Sequence, residues 1–127
     1  MTIQGPQEGE FCWNELMTTN TAKAKEFYSG LFGWECEESQ VGPVTYTLFK
    51  SKDKNFGGMM ATPEAHIPSH WMSYINVKEV KESLKKAESL GGKTLVPLTQ
   101  LGDFGIFAVI QDPTGASIAL WQSLKSC

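Results

Sequence analysis

Apolar and polar positions divide the chain into strand-like and helix-like stretches. Phe11 to Met17 alternates with period two, which predicts a strand. Trp13, Glu15 and Met17 share one face, and Cys12, Asn14 and Leu16 the other. Asn20 then offers a helix N-cap. Ala24, Phe27, Tyr28 and Leu31 follow at helical spacing, and Gly33 supplies the stop. Trp34 to Ser39, Val44 to Lys50 and Asn55 to Thr62 read as strands, the first two separated by Gly42 and Pro43. Beyond Pro68 a strand is expected over Trp71 to Val77. A helix follows from about Glu79, with Val80, Leu84 and Ala87 inward, and Gly91 and Gly92 end it. Three more strands are expected at Lys93 to Thr99, Phe104 to Ile110 and Ala116 to Ser123. Asp112-Pro113-Thr114-Gly115 fits a type I turn before the last of them.

The order is βαβββ, repeated. An offset of 58 residues pairs Trp13 with Trp71, Gly33 with Gly91, Phe49 with Phe107, Gly57 with Gly115 and Ala61 with Ala119. The expectation is a single domain over residues 1–127 made of two modules, about 10–62 and 69–124. A Pro-containing linker, 63–68, joins them. Its prolines also keep His66 and His70 off a shared helical face, despite their spacing of four.

Charge and composition narrow the chemistry. Lys+Arg is 11 and Asp+Glu is 14, for a net charge of −3. That balance argues against a nucleic-acid partner, which needs a basic face. All the basic residues are lysines, so bidentate guanidinium clamps on carboxylate or phosphate are excluded. Cys12, Cys36 and Cys127 are odd in number and far apart, which suits reduced thiols rather than a disulfide framework or a metal knuckle. Met1 to Glu10 has neither the basic nor the apolar stretch of a signal peptide, and no apolar run approaches the roughly 20 residues of a membrane span. A cytoplasmic protein with no membrane partner is expected.

Four segments are more specific: Trp13-Asn14-Glu15-Leu16, Phe27-Tyr28-x-x-Leu31-Phe32-Gly33-Trp34, His70-Trp71-x-x-Tyr74-x-x-Val77 and Asp112-Pro113-x-Gly115-Ala116. With the doubled βαβββ order, they resemble the vicinal oxygen chelate superfamily of glyoxalases, bleomycin-resistance proteins and extradiol dioxygenases. The resemblance implies an α+β fold in which two βαβββ modules form a curved mixed sheet or cup, with the helices outside. It also implies a homodimer. Metal-dependent branches of such a family place one ligand on the first and one on the last strand of each module. Carried over, those positions fall on Trp13, on Trp71 or Met72, and on Ala61 and Ala119, none of them a ligand for a divalent ion. The expectation is therefore no metal and no cofactor. The alternative is a divalent-metal enzyme of lyase or dioxygenase type with a divergent ligand set, drawing on Glu15 and His70.

Without a metal, the lining of the cup decides function. The candidate ligand-binding residues are Trp13, Glu15 and Met17 on the first strand, Trp71 and Ser73 on the fifth, and Ser117 and Trp121 on the last, beside Ala119. Flat apolar walls with one carboxylate suit a planar aromatic or cationic small molecule, held by stacking and cation–π attraction. Glu15 is also the candidate catalytic residue, a general base if burial raises its pKa. Structural readings stand beside these. The tryptophans fill space between layers, Glu15 serves a buried ion pair or a dimer contact, His70 is a surface residue, Tyr74 belongs to the core or an interface, and Met59 and Met60 pack at a bend formed by Gly57 and Gly58.

Overall fold

Asn20 opens the first helix as its side chain predicts. Its Oδ1 accepts the Lys23 N–H at 3.0 Å, and Gly33 closes the helix in the left-handed region at φ 75°. The computed structural model describes residues 7–62, 64 and 66–124. Pro63 of the linker, the start of the polar N-terminal arm and Cys127 lie outside the described residues. The described elements are β1 (Phe11–Thr18), α1 (Thr21–Phe32), β2 (Glu35–Val41), β3 (Val44–Ser51), β4 (Lys54–Ala61), β5 (His70–Asn76), α2 (Val80–Ser89), β6 (Lys93–Leu101), β7 (Gly105–Gln111) and β8 (Ser117–Ser123). The fold class is α+β, with βαβββ occurring twice.

The chain forms two compact modules. Among the described residues, the first is Trp13–Met72 and the second joins those up to Cys12 to those from Ser73 onward. In the first, strands run in the order β2-β3-β4-β1. Two hairpins link β2 to β3 and β3 to β4, and β1 adds in parallel to β4. The β3–β4 turn places Lys52 and Asp53 at φ 50° and 67°, the two positive values that a two-residue hairpin turn demands. Leu16, Phe49 and Met59 form the core on the face that carries α1, packed by Ala24, Tyr28, Trp34, Cys36 and Phe56. Burying side chains such as Phe49 and Met59 contributes roughly 1.5–3 kcal/mol each. Ala24 and Tyr28, four residues apart, point inward from α1. Phe27 and Leu31, expected on the same face, form a second row on its flank and stay exposed.

The second module repeats the plan in the order β5-β8-β7-β6, with β5 parallel to β8. Val80, Ala108 and Leu120 form its core with Leu84 of α2. Glu79 makes no side-chain cap; instead Gln122 Oε1 on β8 accepts the Val80 N–H at 2.9 Å. The Asp112–Gly115 turn forms as read. Its closing N–H···O bond is 3.0 Å, and the Asp112 carboxylate accepts from Thr114 and from the Ala116 N–H.

The repeat register differs from the expected one. Gly33 and Gly91 do match, each left-handed at a helix end. The helices, however, begin at Thr21 and Val80, 59 positions apart. In a strand, one residue of slip turns every side chain to the other face. Phe49 accordingly packs under α1, whereas Phe107 pairs with Trp121 on the face of the second module away from α2.

Candidate functional site

The face of the first module opposite α1 is built by β1, β4 and β3. Leu16 and Met59 point toward the helix, so alternation turns Trp13, Glu15 and Met17 of β1 the other way, level with Gly58 and Met60 of β4. On β3, Phe49 and Thr47 are on the helix side and Tyr46 is on the Glu15 side. Glu15 stands directly beside Gly58 in the parallel ladder. A Cβ on Gly58 would collide with the ring and hydroxyl of Tyr46. The missing side chain is what lets the phenol cross β4 and reach the carboxylate.

The result is a directed chain of hydrogen bonds. The Trp13 indole N–H donates to the Tyr46 hydroxyl at 2.9 Å, and that hydroxyl donates to Glu15 Oε2 at 2.8 Å. Glu15 is 6% exposed. A carboxylate so far from water is tolerated only when donors are aimed at it, and Tyr46 is one such donor. Burial, and then the negative charge of Glu15, push the Tyr46 phenol well above its ordinary pKa. Tyr46 therefore stays protonated and keeps its donor role. Three groups from two strands, β1 and β3, thus present an indole, a phenol and a carboxylate on one sheet face.

The other expected lining residues divide. Met17 shares the Glu15 face, beside Met60. Ser117 and Trp121 lie on the second module's face away from α2, as expected from their alternation with the core residue Leu120. Trp71 does not face the Glu15 side. It packs against Tyr28, Trp34 and Phe49 on the α1 face, and its indole N–H donates to the Tyr28 hydroxyl at 3.1 Å. Ser73 shares a strand face with Ile75, which pairs with the core residue Leu120, so it stands on the α2 side. Both misplacements follow from the one-residue error in the repeat offset. Tyr74 is a core residue and meets Trp121 edge-on at 6.4 Å. His70 Nδ1 lies 2.8 Å from the Pro68 carbonyl oxygen. Cys12 is half-buried, and its thiol pKa is raised by burial, against activation as a nucleophile. Tyr46 is the site residue that sequence reasoning missed. The available signal was a Gly-Gly pair inside a strand, which marks close approach of another group as well as it marks a bend.

Residues 12–120 match the model of the Glyoxalase/Bleomycin resistance protein/Dioxygenase superfamily. The chain belongs to that superfamily. One curated relative of this superfamily member is "Putative glyoxylase CFP32" of Mycobacterium bovis, 32% identical over 92% of the chain and 47% of that protein. Another is the anthracycline biosynthesis protein DnrV of Streptomyces peucetius, 31% identical over 90% of the chain and 47% of that protein. The chain spans about half the length of these curated relatives. Among solved structures, it superposes on a hypothetical protein of Bacillus halodurans with TM-score 0.70 at 10% identity, covering 95% of this chain and 99% of that one. It also superposes on methylmalonyl-CoA epimerase from Mycobacterium tuberculosis with TM-score 0.64 at 13% identity, covering 97% and 93%. At these identities the likeness is one of fold.

Among the described residues, no three His, Cys, Asp or Glu side chains stand close enough together to hold an ion. Nor do the carried-over positions, Trp13, Trp71 or Met72, Ala61 and Ala119, offer a ligand for a hard or borderline divalent ion. The residues described do not fit a three-ligand centre. Among the described residues, no helix is long and apolar enough to cross a membrane.

Proposed function

We propose that this superfamily member binds a small planar aromatic molecule on the Trp13–Tyr46–Glu15 face of the first module, without a divalent metal. Trp13 supplies a flat wall, and Glu15 receives a cationic or hydrogen-bond-donating group of the ligand. The observation that carries the reading is the hydrogen-bond chain ending on a buried carboxylate. Such an arrangement is costly to keep in a fold unless it is matched by donors, and here the carboxylate ends a chain of donors on a face that also carries Met17 and Met60. The relative named for anthracycline biosynthesis supports the aromatic part, since an anthracycline is itself a planar aromatic molecule. A general-base role for Glu15 is a second use of the same geometry, with Tyr46 as the positioning residue. The reading includes a cytoplasmic setting and a homodimer, the latter supported by the exposed Phe27, Leu31 and Phe32 on and beside the flank of α1.

The test is titration with proflavine, a planar aromatic cation, followed by tryptophan quenching in the presence and absence of EDTA. Saturable binding, unchanged by EDTA and weakened about tenfold in Glu15→Gln, is expected, the scale of one charge-assisted hydrogen bond. Equal affinity of wild type and Glu15→Gln would remove the carboxylate from the site. Stoichiometric zinc, nickel or iron in the purified protein would contradict the metal-free reading.

A further inference from the structure

The α1 face of the first module holds a separate hollow of about 350 Å³, lined by Asn14, Trp34, Phe56, Gly57 and Trp71. Its volume is at the small end of ligand sites. Its walls are three aromatic rings that are far from parallel. Trp34 meets Trp71 at 88° with centroids 6.3 Å apart, and meets Phe56 at 67° with centroids 4.7 Å apart. Rings set across one another frame a corner rather than a slot, and a compact, rounded group seated there meets their electron-rich faces from more than one direction.

The rings are held in place. Tyr28 and Phe32 stack behind Trp34 at interplanar angles of 13° and 30°. The bond from the Trp71 indole to the Tyr28 hydroxyl fixes the plane of Trp71, which is nonetheless 41% exposed. Phe56 reaches the hollow because of a bulge: Phe49 pairs with Gly57 and Lys50 with Asn55, which leaves Phe56 without a partner in the ladder. A bulge of this kind re-aims one side chain, here onto the same side as its neighbour Gly57. Among the described residues, no charged side chain lines the hollow, so a cation entering it meets no like charge from them.

From this geometry we infer that the Trp34–Phe56–Trp71 hollow is a second binding site, for a compact quaternary ammonium group. Such cations are attracted to ring faces and carry little hydration to lose. Asn14 provides an amide at the rim for a polar group on the rest of the ligand. The site does not depend on Glu15, which is on the other face of the same sheet.

The probe is choline, compared with its uncharged carbon isostere 3,3-dimethyl-1-butanol, with the indole N–H resonances followed by ¹H–¹⁵N NMR. Choline is expected to shift the Trp34 and Trp71 indole signals saturably while the Trp13 signal stays in place. The isostere should bind about tenfold more weakly, the scale of a desolvated cation–π contact. Trp71→Leu should abolish the effect, and Trp71→Phe should keep a weaker one, so the test holds even if the leucine variant fails to fold. Equal affinity for the isostere would reduce the hollow to an apolar cleft, and a shift confined to Trp13 or no saturable shift at all would overturn the site.

Discussion

In the first module the central parallel pair of strands sets Glu15 beside Gly58; in the second it sets Tyr74 beside Ala119. The plan is shared, and the chemistry on the face away from the helix diverges at that pair. A hydrogen in place of a methyl at Gly58 opens a path for Tyr46 to reach the carboxylate. Ala119 is fully buried, and Tyr74 there turns edge-on to Trp121. The second module has its own close approach one strand over, where a Cβ on Gly105 would strike the Trp121 ring. In one module a glycine admits a polar network, and in the other it admits an indole. The lesson is that one scaffold becomes a hydrogen-bonding face or an aromatic layer according to where its strands omit a side chain.

The largest effect is expected from closing that path. Gly58→Ala should destabilise the protein by about 3 kcal/mol in urea denaturation, because the new methyl lands on Tyr46 and breaks the chain at both ends. Ala119→Gly, at the matching position, should cost only about 1 kcal/mol. Similar losses in the two would erase the distinction between the modules.

Next comes the phenol. Tyr46→Phe should cost about 2 kcal/mol by removing a donor from a buried carboxylate. The pH dependence has a fixed sign. Burial first, and then the Glu15 charge, raise the folded-state pKa of Tyr46 above its unfolded value of about 10. Its stabilising contribution is therefore complete below pH 10 and is lost as the pH rises beyond it. Wild type should lose stability above pH 10 more steeply than Tyr46→Phe, measured by urea midpoints across that range.

Much of this contrast was open to reading from the residues alone. Periodicity located every strand and both helices, since each depends on neighbours within a few positions. Asn20, Gly33 and the Asp112 turn were legible for the same reason. Glu15 stood out because a carboxylate on an inward-facing strand position is anomalous. Tyr46 did not, because it is 31 residues from Glu15 and meets it only through the β3-β4-β1 order and the gap at Gly58. Identical residues suggest an offset of 58, which puts Trp71 and Ser73 on the Glu15 side; the strands follow odd offsets, 59 from Glu15 to Tyr74 and 61 from Gly58 to Ala119, which turns both residues to the other side.

Smaller effects sharpen the comparison at the edges. Asn20→Ala should cost about 1 kcal/mol, because it removes the α1 cap. Glu79→Ala should change stability by less than about 0.5 kcal/mol, since Gln122 and not Glu79 satisfies the start of α2. At the β3–β4 turn, Asn and Gly in place of Lys52 and Asp53 should stabilise by about 0.5–1 kcal/mol, as both positions need positive φ. Thermal melts of the purified variants are sufficient for each.

The central claim is that the first module's polar face, rather than the second's aromatic one, receives the ligand. It is tested most directly by following the Trp13 and Trp121 indole N–H signals by ¹H–¹⁵N NMR during a proflavine titration. Our account predicts a saturable shift of Trp13 that fades in Glu15→Gln, with Trp121 stationary. A shift of Trp121 with Trp13 unmoved would contradict it.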